Sequence, residues 1–285
     1  QHFKELYSVP IDQFKDQRRA KDLQNKIKPF LLRRTKDEVA KELPLKLETV
    51  LYCPMEKEQS DTYAAFEKEF REFVSATEAE QLKDATMHVL RGLTKLRQIC
   101  NSTKLLKSDE VVGHKTSSKI EVLKEQIELN APHHKMVIFS QFVSMLELIQ
   151  AELASMNVNH IMLTGKSSNR EAIVNEFRNN DDVRVALISL KAGGTGLNLV
   201  EADYVYLVDP WWNPAVENQA IDRLHRIGQE KNITAIRLIC PGTLEEKIMQ
   251  LQESKKELTS QMVGNNDSFF EGLTRKELLG LVSVY

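Results

Sequence analysis

The sequence predicts an α/β protein in which a parallel β-sheet is flanked by helices and is preceded by an all-helical protrusion and linker. Two observations lead to this prediction. Short, nearly continuous apolar runs begin at residue 135, and such runs are typical of strands that are covered on both faces. The helical stretches between these runs are long enough to connect one parallel strand to the next.

The composition is that of a globular protein that can bury a sizeable core. Of the 285 residues, 41% are hydrophobic and 28% are charged, and this length suffices for about two domains. The net charge of −2 gives no overall attraction to nucleic acid or to membranes. Any DNA contact must therefore come from a local basic surface. No apolar run approaches the roughly 18 residues of a membrane span.

The cysteines and histidines do not form a metal-binding pattern. Cys53, Cys100 and Cys240 lie far apart without CxxC spacing, which argues against a zinc site and against a disulfide framework. His133 and His134 are neighbours in a polar turn and are interpreted as solvated. We therefore expect no metal site and a reducing, intracellular compartment. This compartment is the cytoplasm or nucleoid if the source is prokaryotic and the nucleus if it is eukaryotic.

The first half of the chain is predicted to consist of charged helices and one strand. The stretch 16–43 has a helical pattern. Thr35 and Glu38 form a capping box, which predicts a short helix that begins at Thr35 and ends before Pro44. The other elements of this half are a strand at 47–55, helices at 57–74 and 79–100, and a polar linker at 101–116.

The second half alternates between strands and helices. The predicted strands are 135–140, 160–164, 183–189, 204–209 and 233–239. The predicted helices are 143–155, 169–178, 214–227 and a last amphipathic helix from 244. In open α/β sheets ligands bind beyond the carboxyl ends of the strands, so functional residues are expected in the segments that follow them.

One of these segments, Gly165-Lys166-Ser167, imitates the end of a phosphate-binding Walker loop. A complete loop needs another glycine five residues earlier, but that position is His160. The alternative is a polar turn between a strand and a helix, with Asn169 able to cap the helix.

The segment 189–199 holds three glycines, Gly193, Gly194 and Gly196, directly after a strongly apolar run. Glycines at this place let backbone N–H groups approach a phosphate or a sugar closely. A bare turn without a ligand is the alternative interpretation, and the glycines alone do not separate the two.

Arg223 and Arg226 are three residues apart on a predicted helix, which directs both guanidinium groups to one side. Two such groups suit a phosphate chain whose negative charge grows during phosphoryl transfer. Gln219 lies one turn earlier and could position water or phosphate. The alternative is a solvated basic face that is paired with Glu217 and Asp222.

Both tryptophans of the chain, Trp211 and Trp212, lie between two prolines directly after a predicted strand. Their large aromatic area suits a fixed corner that packs on another domain or brackets a ligand, and both interpretations stay open. Asp209 at the end of the strand is interpreted as structural.

In this order, the segments resemble the C-terminal half of a SWI/SNF-type ATPase, a DNA-translocating branch of helicase superfamily two. PFLLRRTKDEVAKELPLKLE at 29–48 resembles the segment that joins the two motor lobes, and LTKLRQICN at 93–101 resembles the helix of the second-lobe insertion. VIFSQF, LISLKAGGTGLNLVEADYVYLVDPWWNP and QAIDRLHRIGQ resemble the fourth, fifth and sixth helicase motifs. One departure is CNST at 100–103, where many members have Cys-Asn-His-Pro.

The resemblance implies a RecA-like second motor lobe and a particular domain organisation. The implied domains are an inter-lobe linker at 1–55, a helical insertion at 56–116, a RecA-like domain at 117–242 and a C-terminal helical extension at 243–285. The family's first lobe carries the Walker loop and the Asp-Glu-x-His box that holds Mg²⁺, and neither motif occurs in this sequence. We therefore expect the chain to be part of a longer protein and to hydrolyse little ATP by itself.

The resemblance also assigns roles to individual residues. Arg223 and Arg226 would be arginine fingers for ATP, Gln219 would place the attacking water, and Gly194 and Gly196 would border the nucleotide. The expected contacts with the DNA backbone are Ser140, Gln141, Gly165, Lys166, Ser167, Arg170, Lys191, Ala192 and Gly193.

The implied function is a double-stranded-DNA-stimulated ATPase that translocates along DNA and remodels protein–DNA complexes. The implied partners are duplex DNA, the N-terminal lobe of the same polypeptide and a DNA-bound protein target, with no membrane. Two alternatives stay open. One is a non-catalytic DNA- or protein-binding module with the same fold, and the other is a self-sufficient kinase that uses Gly165-Lys166-Ser167 as its phosphate loop.

Overall fold

The computed structural model describes residues 4–12, 16–27, 42–77, 85–193, 196–259 and 279–281. Its contacts divide the chain into two units, Gln1–Leu43 and Pro44–Tyr285. The first unit contains a π-helical turn at Lys4–Ser8 and helices α1 (Val9–Asp12) and α2 (Gln17–Ile27). The predicted capping box at Thr35 and Glu38 lies outside the described residues.

The second unit is built on a six-stranded sheet in which every pair of neighbouring strands is parallel. The strands are β1 (Lys46–Tyr52), β2 (Met136–Ser140), β3 (His160–Leu163), β4 (Val185–Ser189), β5 (Tyr204–Leu207) and β6 (Ile233–Ile239). Their order across the sheet is β1-β6-β5-β2-β4-β3. The predicted α/β fold with a parallel sheet is therefore confirmed.

The strand β1 adds to the sheet at a place that the sequence did not indicate. Its pattern predicted a strand within the linker, but β1 pairs with β6 along its whole length, from Lys46 opposite Ile233 to Tyr52 opposite Ile239. Most of its residues are exposed. An edge strand with so much exposure carries no continuous apolar run, so its sequence does not resemble the buried strands.

Helices cover both faces of the sheet, as the apolar runs predicted. These helices are α5 (Ser118–Asn130), α6 (Val143–Ser155), α7 (Arg170–Asn179), α8 (Leu190–Gly193) and α9 (Pro214–Ile221). Alternate residues of β2 reach opposite faces. Val137 and Phe139 join a cluster with residues of α7 and α9, whereas Met136 and Ile138 join a cluster with residues of α5 and α6.

The helical insertion packs against the carboxyl end of the sheet. Its helices are α3 (Lys57–Ala76) and α4 (Thr86–Asn101), followed by 3-10 turns at Thr103–Leu105 and Ser108–Glu110. A single apolar cluster joins Leu93 and Leu96 of α4 to Trp212, to Cys240 after β6, and to Leu244 at the start of α10 (Leu244–Thr259). The insertion is therefore continuous with the core of the lobe.

A buried ion pair ties these parts together. Lys119 of α5 and Glu245 of α10 are fully buried, and Lys119 Nζ lies 2.5 Å from Glu245 Oε1. The same ammonium group donates to the Val208 carbonyl at 2.6 Å and to Asn101 Oδ1 at 3.3 Å. Burial alone would lower the pKa of Lys119, but the Glu245 carboxylate more than offsets this effect and the pKa is raised. Lys119 therefore stays a cation.

Two buried thiols adjoin this ion pair. The potential ligand atoms of Cys100, Cys240 and Glu245 lie within 4.8 Å of one another, the one such group of three in the described part of the chain. Glu245 also accepts a hydrogen bond from the Cys240 amide at 3.0 Å, and its other oxygen faces Lys119. The ammonium group thus already neutralises the carboxylate that a metal would need.

Candidate functional site

The arginines predicted to act together lie in a turn, which we call the arginine turn (residues 222–229). Helix α9 ends at Ile221, and successive turns follow up to Gly228. The prediction that Arg223 and Arg226 share one helix is therefore wrong, and helical spacing does not place their side chains on one side. The chain leaves the helix because it must bury Leu224 in the core and reverse at Gly228, where φ is +101°.

Three contacts fix the arginine turn on the lobe. Leu224 is completely buried between the two arginines. Gln229 donates through Nε2 to the Ala202 carbonyl at 2.9 Å and to the Leu224 carbonyl at 3.3 Å. His225 Nε2 lies 2.8 Å from the carbonyl oxygen of Pro44, just before β1. Because a carbonyl only accepts, this nitrogen carries the proton.

The exposure of the predicted catalytic residues differs. Arg226 and Gln219 are exposed, whereas Arg223 is half-buried. Glu217, which the alternative interpretation paired with the arginines, is instead fully buried. Its carboxylate accepts hydrogen bonds from Arg237 Nε at 2.9 Å and from the Trp211 amide at 2.7 Å. The alternative of a solvated basic face paired with Glu217 is therefore wrong for this residue.

The glycine segment (residues 190–199) adjoins the arginine turn. The Leu199 amide donates to the Arg223 carbonyl at 3.1 Å, so the two segments share a backbone hydrogen bond. Gly196 has φ of +47°, a left-handed conformation that favours glycine, and a Cβ there would meet no atom within 4 Å. The neighbouring Gly194, which was predicted to border the nucleotide, lies outside the described residues.

The start of this segment is tightly packed. A Cβ on Gly193 would lie 2.9 Å from Cε1 of the buried Phe139, so the close approach of α8 to β2 requires a glycine. Ala192 is also buried, and its amide donates to Ser189 Oγ at 3.4 Å. Lys191 is exposed. Of these three predicted DNA contacts, Lys191 presents a cation to solvent.

The end of β2 is held by Asp209. The Ser140 hydroxyl donates to Asp209 Oδ1 and accepts a hydrogen bond from the Phe142 amide at 3.0 Å. The Gln141 amide donates to Asp209 Oδ2 at 3.2 Å. Ser140 is fully buried, so its hydroxyl shapes this turn, and Gln141 is the more accessible of the two predicted DNA contacts.

The segment Gly165-Lys166-Ser167 forms a compact turn after β3. Ser167 Oγ accepts a hydrogen bond from the Thr164 amide at 2.9 Å, and the Ser167 amide donates to the Thr164 carbonyl at 3.2 Å. Arg170 Nη2 donates to the same carbonyl at 3.4 Å. Gly165 and Lys166 are exposed. Asn169 is the N-cap residue of α7, but its side chain forms no capping hydrogen bond because its backbone is left-handed.

The two tryptophans pack on the helical insertion. Arg97 of α4 places its guanidinium carbon 5.5 Å from the ring centroids of both Trp211 and Trp212. Arg97 was not predicted as a functional residue. The sequence did contain a signal, because Arg97 follows Leu93 and Leu96 on the apolar face of α4, where a charge needs partners.

His134 lies just before β2, at the amino end of this strand, and it is paired and not simply solvated. His134 Nδ1 lies 2.6 Å from Asp203 Oδ2, and its ring lies 4.7 Å from that of Tyr204.

In the described part of the chain, no helix is both long and apolar enough to cross a membrane.

Comparisons with known proteins agree with this architecture. The sequence model of the SNF2-related domain matches residues 1–105, and that of the helicase conserved C-terminal domain matches residues 118–228. The C-terminal domain of a SWI2/SNF2 ATPase from Sulfolobus solfataricus is 32% identical, with a TM-score of 0.67; the match covers 84% of this chain and 99% of that domain.

Longer proteins match nearly the whole chain. The Sulfolobus solfataricus SWI2/SNF2 ATPase core in complex with dsDNA is 33% identical, with a TM-score of 0.70, and the match covers 99% of this chain and 60% of that one. An uncharacterised ATP-dependent helicase of Mycoplasma genitalium is 34% identical over 98% of this chain and 27% of its own length. The chain spans roughly a quarter of the length of such curated relatives.

Proposed function

Because the chain belongs to the SWI2/SNF2 ATPase family and covers nearly all of a C-terminal domain from it, we propose that it is the second motor lobe of a duplex-DNA-stimulated ATPase. This motor translocates along DNA and remodels protein–DNA complexes. The observation that carries the proposal is that the arginine turn and the glycine segment are joined. The arginine turn is fixed at three points and shares a backbone hydrogen bond with the glycine segment.

In this proposal the arginine turn acts on ATP that is held by the first motor lobe of the same polypeptide. Arg223 and Arg226 stabilise the charge that develops on the transferred phosphoryl group, and Gln219 places the attacking water. Gly194 and Gly196 border the nucleotide. The buried Leu224 between the two arginines limits how far the turn can move, so the backbone that carries both guanidinium groups needs little reorganisation during the reaction.

Mg²⁺ would be held by the first lobe, and this chain supplies no ligand to it. When bound there, this ion would neutralise part of the negative charge of the phosphates. The contribution of this chain is therefore limited to cations and to backbone N–H groups. Because phosphate binding needs both lobes, the chain alone is expected to hydrolyse almost no ATP.

The proposed DNA surface follows the carboxyl ends of β2, β3 and β4. Lys166 and Lys191 are exposed cations on two of these segments, and Gln141 lies on the third. Such contacts bind phosphates without reading base identity. The DNA-bound complex of the Sulfolobus ATPase core supports duplex DNA as the partner. Since the chain has a net charge of −2, affinity for DNA depends on this local surface.

The test of the motor assignment is the double variant Arg223→Ala plus Arg226→Ala in the full-length protein. DNA-stimulated ATP turnover should fall by about 10³- to 10⁵-fold, the usual contribution of an arginine finger. Thermal unfolding and duplex binding should stay as in the wild type. The matched control is Arg91→Ala, which removes an exposed arginine from α4 and should leave turnover intact.

The outcome also separates the alternatives. Full biological activity of the double variant would refute the motor assignment and favour a non-catalytic binding module. DNA-stimulated turnover by the purified chain alone would refute its dependence on a first lobe. Nucleotide binding by the chain that is lost in Lys166→Ala would favour a self-sufficient kinase, and we expect no such loss because Lys166 lies in a turn without the first Walker glycine.

A further inference from the structure

Arg97 carries a buried positive charge from the helical insertion into the carboxyl edge of the sheet. Its side chain is only 4% exposed. The guanidinium carbon lies 5.5 Å from the ring centroid of Phe142 and at the same distance from those of Trp211 and Trp212. Nη2 donates a hydrogen bond of 2.6 Å to the Pro210 carbonyl. The side chain therefore contacts two segments, one that follows β2 and one that follows β5.

Packing alone does not explain an arginine at this position. Burial lowers the pKa of Arg97, although Asp209 opposes this effect, and the group stays charged. Removing such a charge from water is unfavourable, and apolar side chains of similar volume often replace buried charges without loss of stability. What an apolar side chain cannot provide is a planar fork that faces three aromatic rings, a carbonyl and a carboxylate at once.

Asp209 extends the contacts of Arg97 to the proposed DNA surface. Arg97 Nη2 lies 3.6 Å from Asp209 Oδ2, which also accepts the hydrogen bond from the Gln141 amide. Asp209 Oδ1 accepts a hydrogen bond from the Ser140 hydroxyl. The same carboxylate therefore holds both the turn at 140–142, which carries Gln141, and the insertion arginine.

A second set of contacts connects Arg97 to α9, the helix that is proposed to face the nucleotide. Pro210 and Trp211 begin the corner that enters α9, the helix of Gln219. The Trp211 amide donates to Glu217 of that helix at 2.7 Å. A displacement of the corner is therefore passed directly to the helix that precedes the arginine turn.

We propose that Arg97 is a positioning residue through which the helical insertion keeps the Gln141 turn and the corner before α9 in one fixed arrangement. This proposal rests on the proposed motor function. The insertion then couples DNA contact to ATP hydrolysis and is more than a docking surface. Because its side chain is buried, Arg97 would act through these contacts and not as a ligand of ATP or DNA.

The test compares Arg97→Met, Arg97→Lys and the control Lys95→Met in the full-length protein. Lys95 lies on the same helix but pairs with Glu110 at the surface, at 2.8 Å. Arg97→Met should lower the DNA-stimulated kcat by about 10- to 100-fold, the scale of a small misplacement of catalytic groups. The ATPase rate without DNA should fall by a smaller factor, because only the stimulated rate requires the Gln141 turn and the corner before α9 to keep one arrangement. A purely structural role would lower the rates with and without DNA by the same factor.

The chain itself offers a second readout, because Trp211 and Trp212 are its only tryptophans. Acrylamide quenching of their fluorescence should increase in Arg97→Met and stay unchanged in Lys95→Met. Arg97→Lys keeps the charge but loses the fork, so it should show a smaller change of the same kind. If Arg97→Met does not fold, Arg97→Lys is measured in its place.

The results separate this inference from the proposed function. If DNA does not stimulate the wild type, the motor function and the coupling both fail, whereas quenching still shows whether Arg97 holds the corner. If DNA stimulates the wild type and both Arg97 variants equally, the motor stands and the role of Arg97 is refuted. Wild-type quenching in both folded Arg97 variants would refute it as well.

Discussion

The ion pair between Lys119 and Glu245 should contribute to stability as a unit. Lys119→Met removes the ammonium group and leaves the Glu245 carboxylate fully buried, with the hydrogen bond from the Cys240 amide. Glu245→Gln leaves a buried cation with the oxygens of Val208 and Asn101. Breaking a buried pair in this way costs about 3 to 5 kcal/mol for either variant. In the double variant no charge is left behind, so its cost should fall short of the sum by about 2 kcal/mol or more.

The assay is urea unfolding of the wild type, both single variants and the double variant, followed by tryptophan fluorescence. Both tryptophans lie in the unit Pro44–Tyr285 that contains the ion pair, so the signal reports on that unit. Lys124→Met is the control, because Lys124 faces Glu121 at the surface and its loss should cost less than about 1 kcal/mol. Additive losses for Lys119 and Glu245 would refute the reasoning, as would a loss for Lys119→Met no larger than that for Lys124→Met.

Two further predictions concern a buried thiol and a packed glycine. Burial raises the pKa of Cys53 from 9.0 to about 12. The folded state therefore keeps a proton that the unfolded state loses, so stability from this thiol is present below pH 9 and is lost as the pH rises toward 12. Cys53→Ala should flatten this decline in urea titrations over that range, and an unchanged slope would contradict the assignment. Gly193→Ala should cost about 1 to 3 kcal/mol, since its Cβ would lie 2.9 Å from Phe139 Cε1. Gly165→Ala meets no atom within 4 Å and should be neutral by the same measurement; equal effects of the two would show that packing at Gly193 is not the cause.

The sequence predicted those parts of the fold that depend on local pattern. The five strands β2 to β6 were predicted to within a few residues, because strands covered on both faces need nearly continuous apolar runs. Membership of β1 in the sheet was missed, since its pairing with β6 is a contact between residues far apart in sequence. The end of α9 at Ile221 was missed for the same reason. Periodicity continues past it, but burial of Leu224 and the bonds of Gln229 decide the path.

The candidate site divides in the same way. Chain order alone identified the segments that follow the strands, because the carboxyl ends of parallel strands lie on the same side of a sheet. The partners of individual side chains followed no such rule. Glu217 turns inward to Arg237, and Arg97 reaches Pro210 from more than one hundred residues away. Such pairings depend on how separate elements pack against one another, which no local pattern encodes.

The pairing of β1 with β6 also orders the events of folding. Leu45 and Asn232, which are hydrogen-bonded beside this pair, lie 187 residues apart in the chain. At a synthesis rate of about 5 to 20 residues per second, a ribosome therefore exposes β1 for roughly 10 to 40 s before β6 emerges. During that interval the strand with which β1 pairs has not yet been synthesised. The edge strand is synthesised early and pairs late, so the charges of Lys46 and Glu48 also disfavour its pairing with other unpaired strands of the nascent chain.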